Sequence, residues 1–348
     1  MMPIHSLHDQ VWRELLARRA RLPHALLLGG QRGIGKFELA RAFAYLLLCA
    51  RPTAAGDACG SCPPCSWLGQ GNHPDFRLLQ PAALVESEAP AAPDGDEAAT
   101  GRRAGQQITI DQVRELDDFL HVGTHRQGLR IILLNPAEAM NRATANALLK
   151  SLEEPPAGTL FILVASEMHR LLPTIRSRCQ QLPLRQPARA VAIEWLGAAG
   201  VNEADNWLAL AGGAPLLALD LAHSGERRLL AAWLAEVEQG AALDPLLAAA
   251  NLDKVVRAEK RPGALKRTVD WAQKWLLDLM LTSAGLAPRY FRAQAPLLCR
   301  LAALSSPQRL LAFDRKALQY KVQCEQPVNS RLFLEDFFLN YQAAFRTS

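Results

Sequence analysis

Four cysteines gather early in the chain, Cys49 followed by Cys59, Cys62 and Cys65 in "CGSCPPC". Short C-x-x-C spacings bend a backbone so that sulfurs converge, and Cys49, at the end of a helical pattern, can close a tetrahedron. Four thiolates suit a structural zinc ion with no open coordination position; reduced thiols or a redox pair are the alternatives. Just upstream, "GGQRGIGK" spaces Gly30, Gly33, Gly35 and Lys36 as G-x-x-x-x-G-K. Backbone N–H groups in such a loop form an anion nest, and the lysine can reach a phosphate. The next position, where a Ser or Thr hydroxyl would hold magnesium, is Phe37. No Mg2+ is therefore expected, while binding of ATP or ADP by this degenerate loop stays open.

A second part of a metal-phosphate machinery is missing as well. The apolar run "IILL" leads into "NPAE", so the acidic residues that would position a metal and a water are replaced by Asn135 and Pro136. Glu138, three residues past the strand, reads as too distant to substitute. In "TIRSRCQ", Arg176 and Arg178 fall near a sheet edge. An arginine there is either a solvated charge or a group that reaches a neighbouring chain's γ-phosphate. His73 in "GNHPDF" reads as a turn histidine, Glu153 and Glu154 as a solvated helix end, and Cys179, Cys299 and Cys324 as ordinary thiols.

The elements that must hold these groups follow from periodicity. Helices are predicted over 6–20, 36–50, 108–122 and 143–156, the last stopped by Pro155 and Pro156. Thr109 and Gln112 have capping-box spacing. Strands are predicted over 24–30, 75–81, 129–135 and 159–166. Strands alternating with helices make a parallel sheet covered on both faces. Residues 82–106, rich in Ala, Pro, Gly and acid, read as a disordered insertion. Beyond about 187 the patterns are helical.

The whole chain has 348 residues, 49% of them hydrophobic, and a formal charge of +5. That length predicts two or three domains. The mild charge permits nucleic-acid contact without requiring it. The first residues lack a secretory apolar core and no apolar run approaches bilayer length, so a soluble cytoplasmic protein is expected.

"HALLLGGQRGIGK", the cysteine cluster after the first loop helix, "NALLKSLEEPP" and "IRSRC" follow one another across residues 24–179, and "QPVNSRLFLEDFFLNY" lies at 326–341. In this the chain resembles the clamp-loader branch of the AAA+ ATPases. The resemblance implies a P-loop α/β domain over 1–186, with a zinc module at 49–65, a helical lid over 187–226 and an all-α collar over 227–348. It implies a non-hydrolysing stator in a heteropentamer that loads a sliding clamp on primed DNA. Its partners would be an ATPase subunit and the subunit that opens the clamp, with the clamp itself met indirectly, DNA weakly through its phosphates, and no membrane. Carried over, Arg178 becomes an arginine finger for the adjacent nucleotide, and Cys49, Cys59, Cys62 and Cys65 the zinc ligands. Leu216, in "GAPL", stands where the family's ATPases carry a sensor arginine. Two rival readings remain: an active clamp-loader ATPase, which would need metal donors near residues 37 and 135, and a zinc-containing nucleic-acid-binding regulator without ring partners.

Overall fold

Three apolar runs become strands β1 (Ala25–Gly29), β3 (Arg130–Leu134) and β4 (Thr159–Ala165), and every residue in them is buried. A strand with no solvent-facing side belongs in a parallel sheet sandwiched by helices. In the computed structural model, which describes residues 2–84, 105–121, 128–224, 226–259, 263–324 and 326–345, these strands are flanked by β2 (Phe76–Leu79) and β5 (Gln180–Pro183). Among the described residues the sheet order is β2-β3-β4-β1-β5, parallel throughout. The P-loop α/β class expected from the sequence is the one observed.

Helices α1 (Asp9–Arg18), α2 (Lys36–Leu48), α3 (Pro63–Gly69), α4 (Ile110–His121), α5 (Arg142–Glu153) and α6 (Pro173–Arg178) accompany the sheet. One face of the sheet packs Leu27, Ile132 and Phe161 against Leu116 of α4, Leu148 of α5 and Ile175 of α6. The capping box forms: Gln112 N donates to Thr109 Oγ1 (3.3 Å) and Thr109 N to Gln112 Oε1 (2.9 Å).

Several expectations needed correction. The helix predicted over 6–20 is a short 3-10 turn, Ile4–His8, followed by α1. His8 breaks the continuity because its ring turns inward to donate from Nε2 to the Ile34 carbonyl (2.6 Å). Strand β5 carried no apolar signal, since within "QQLP" only Leu182 is buried; its register against β1, Leu26 opposite Gln180, defines it. Of the insertion read as disordered, residues 85–104 lie outside the described residues. Residues 82–84 form a helical turn, and Ala83 N donates to Gly105 O (3.4 Å), so its two margins meet.

The chain divides into two compact units, residues 1–191 and 192–348. Helix α7 (Arg189–Ala198) runs across the division. Helices α8 (Ala204–Leu210), α9 (Pro215–His223), α10 (Glu226–Val237), α11 (Pro245–Ala258), α12 (Ala264–Ser283), α13 (Ala295–Ala303), α14 (Pro307–Gln323) and α15 (Ser330–Ala343) make up the rest of the second unit. Its core is aromatic. Trp233 lies edge-on to Trp275 and stacks on Phe291, with ring centroids 5.9 and 5.7 Å apart. Trp275 Nε1 donates to the Tyr341 hydroxyl (3.0 Å), which donates to Val237 O (2.6 Å). The carboxylate of Asp278, fully buried, accepts from the backbone N–H groups of Arg289, Tyr290 and Phe291 and fixes the turn after α12. Short and long helices are tied together, for Lys274 Nζ donates to Leu210 O (2.8 Å) and Arg267 Nε pairs with Glu226 (2.9 Å).

Candidate functional site

The glycine loop leaves the carboxyl end of β1, between the ends of β4 and β5, where ligands meet open parallel sheets. Gly30 sits so close to the next strand that a Cβ there would lie 2.4 Å from the Leu184 carbonyl oxygen. Gly33 and Gly35 have φ of 78° and 94°, left-handed values that favour glycine, and Gly35 is the N-cap of α2. The tight glycine turn that the spacing predicts is formed.

Its lysine is directed elsewhere. Lys36 is 5% exposed, and Nζ donates to the Gln31 carbonyl of its own loop (2.6 Å) and to Ser166 Oγ just past β4 (2.9 Å). Burial lowers its pKa to about 8, against the pull of the Glu138 carboxylate. Glu138 is closer to this centre than its sequence position suggests: Oε1 accepts from Ser166 N (2.8 Å) and Glu167 N (3.2 Å). That oxygen caps the tip of β4, while Oε2 of the same carboxylate is buried without a hydrogen-bond partner among the described residues. Phe37 presents a ring to the Arg41 guanidinium, 5.4 Å from its centroid, and Asn135, which follows β3, supplies no acidic group. His8 completes the wall behind the loop; burial lowers its pKa, the Ile34 hydrogen bond opposing this and the Lys36 charge adding to it.

The four clustered cysteines do converge. Cys49 caps the C terminus of α2 and Cys62 the N terminus of α3, so two helix ends and one turn deliver the sulfurs. All four Sγ atoms lie within 4.8 Å of one another; Cys49–Cys62 is 3.9 Å and Cys59–Cys65 4.0 Å. A tetrahedron with zinc–sulfur bonds of about 2.3 Å requires sulfurs about 3.8 Å apart, so the donor set fits a divalent zinc. His5 Nε2 contacts Asp57 Oδ1 (2.9 Å), fastening this segment to the N-terminal turn. His73 is excluded from the cluster: it is buried, and its Nδ1 accepts from Asp75 N (3.0 Å).

Arg178 is the last residue of α6. Its side chain is one-third exposed, Nη2 lying 2.5 Å from Glu153 Oε1 and Nη1 donating to Thr174 O (2.9 Å). Glu153 was expected to be a solvated helix end, and Ser166 carried no expectation. The available signal for Glu153 was a carboxylate at a helix C terminus, where the backbone dipole disfavours it; for Ser166 it was a hydroxyl at the carboxyl edge of a buried strand. Leu216 lies in α9, near its start. Among the described residues no helix is long and apolar enough to cross a membrane.

Comparison with known proteins agrees with this geometry. Residues 8–188 match the family model described as DNA polymerase III, delta subunit. The DNA polymerase III subunit delta' of Pseudomonas aeruginosa is 38% identical over 284 residues, covering 80% of this chain and 78% of that one. The subunit delta' of Escherichia coli is 30% identical over 328 residues, covering 92% and 89%. The subunit tau/gamma of Haemophilus influenzae is 33% identical over 165 residues, 47% of this chain and 20% of its own length.

Proposed function

The chain belongs to the DNA polymerase III delta-prime family and is a clamp-loader subunit; on that premise we propose that it works as the non-hydrolysing stator of the assembly. In this reading it contacts a gamma/tau ATPase subunit and a delta subunit in a heteropentamer, in the cytoplasm. It supports loading of the sliding clamp on primed DNA at the expense of ATP hydrolysed next door. Clamp contact is indirect, and DNA contact is weak, through backbone phosphates, and salt-sensitive. Residues 1–186 and 187–226 form the AAA+ module and lid, and 227–348 the collar.

The observation that carries the reading is an asymmetry within the first unit. The loop has no hydroxyl at Phe37, the end of β3 has no carboxylate at Asn135, and Lys36 is engaged with Gln31 and Ser166. Arg178, by contrast, offers a partly exposed guanidinium at a helix end. A guanidinium brought to a γ-phosphate by a neighbouring chain accelerates hydrolysis by about 10³–10⁵. Hydrolysis by this chain alone lacks the magnesium that neutralises the β- and γ-phosphates. Cys49, Cys59, Cys62 and Cys65 hold a structural zinc, which performs no chemistry and shapes the surface of residues 49–65.

The test is reconstitution with the ATPase and delta subunits. Arg178→Ala is expected to lower DNA-stimulated hydrolysis while the complex still assembles. Undiminished hydrolysis in a fully assembled complex overturns the arginine-finger role, and magnesium-dependent turnover by the purified chain overturns the stator role.

A further inference from the structure

We infer that Glu153 is a positioning residue for Arg178, holding the guanidinium in the orientation from which it meets a neighbouring chain's phosphate. The inference rests on the arginine-finger reading above and adds to it a residue that the finger depends on.

Two helix ends converge here. Glu153 is the last residue of α5 and Arg178 the last residue of α6. Helices α5 and α6 pack together through Leu148 and Ile175 in the core beneath, so the two side chains start from fixed positions. A carboxylate at a helix C terminus opposes the helix dipole. Glu153 stands in that position and a second acid, Glu154, follows it at the C-cap. A cation at the end of α6 is favoured by the same dipole rule. The carboxylate gains from the contact with Arg178, and the arginine is given a direction.

The geometry of the contact leaves room for a third party. Nη2 meets Glu153 at 2.5 Å and Nη1 donates to the Thr174 carbonyl at 2.9 Å. These two contacts grip the guanidinium from within its own chain. A guanidinium carries five N–H donors in a rigid fork, so the remaining edge is available to an incoming oxyanion. With a third of the side chain exposed and half of Glu153 exposed, the pair is solvent-facing, where an ion pair alone adds little stability. Its effect is orientation: an arginine side chain has rotamer entropy to lose, and a grip that is already formed removes part of that loss from the step in which the phosphate is met.

The experiment uses the reconstituted complex and four versions of this chain: wild type, Glu153→Gln, Arg178→Ala and the double variant. Glu153→Gln is expected to lose at least half of the hydrolysis that Arg178→Ala loses, through kcat, with KM for ATP and the elution of the assembled complex unchanged. The double variant is expected to match Arg178→Ala, because a positioning residue has nothing to position once the arginine is gone. A merely structural role would lower both backgrounds alike and disturb assembly. If Arg178→Ala is impaired and Glu153→Gln keeps wild-type turnover, the positioning role is refuted while the finger stands. If Arg178→Ala itself keeps wild-type turnover, both fall.

Discussion

Lys36 is only 5% exposed, and two of its three donors go to the Gln31 carbonyl and the Ser166 hydroxyl. The ammonium thus bridges the loop after β1 to the tip of β4, with Glu138 capping the same tip. This accounts for a lysine retained beside a phenylalanine that has displaced the metal ligand: in this chain the lysine braces two strand ends. Burial lowers its pKa from 10.5 to about 8. Between those two values the unfolded chain keeps a proton that the folded chain has released, so stability rises with pH across that interval. Below about 8 both states are protonated and the contribution is constant. Against a Lys36→Met variant, whose other groups titrate alike, wild-type protein should therefore gain in urea midpoint between pH 8 and 10. A wild-type-minus-variant difference that stays flat over that range would mean that burial does not lower the Lys36 pKa.

At the scale of elements, the cysteine segment behaves as a clip between α2 and α3. Purified protein should carry close to one equivalent of zinc, and Cys62→Ser, at a buried position, should lose most of it. Chelation should raise amide exchange over residues 49–69 and leave β1, β3 and β4 protected, since every residue of those strands is buried; exchange that spreads through the sheet would show that the clip holds the domain together. This clip was legible in the sequence because C-x-x-C spacing constrains geometry locally. So were the three buried strands and α4 with its capping box, where apolar runs and cap residues act over a few positions. Other features were not legible. Strand β5 is an edge strand with one buried side chain, Leu182, and its place is defined by its pairing with β1. Helix α3 is seven residues long and begins with two prolines, too short to show a period. Glu138 and Glu153 have partners 28 and 25 positions away in sequence, Ser166 and Arg178, and such pairings arise only once the sheet brings the connecting segments together.

On the scale of the molecule, an arginine that acts on another chain's nucleotide needs an assembly to hold it there, and the helical unit offers a surface suited to that. On α14, Phe313, Ala317 and Tyr320 face the core, while Leu311, Leu318 and Val322 are 52%, 56% and 65% exposed. Their spacing of seven and then four residues aligns them on one side of the helix. Scattered exposed leucines are ordinary, but an aligned row on the face opposite the core is what a helix shows when a partner helix covers it. Burying one such side chain stabilises an association by about 1.5–3 kcal/mol, of which every 1.4 kcal/mol is a factor of ten in affinity. Replacing Leu318 and Val322 together by Lys should therefore weaken assembly with the ATPase and delta subunits at least tenfold, even after the ordering costs of association. The same double variant should melt as the wild-type chain does, because neither side chain contributes to the aromatic core around Trp233, Trp275 and Tyr341. Arg178→Ala should show the reverse pattern, full assembly with impaired hydrolysis. If the Leu318→Lys, Val322→Lys chain still joins the complex at wild-type concentrations, this face of α14 is not where the subunit is held, and the trans action of Arg178 must be anchored elsewhere.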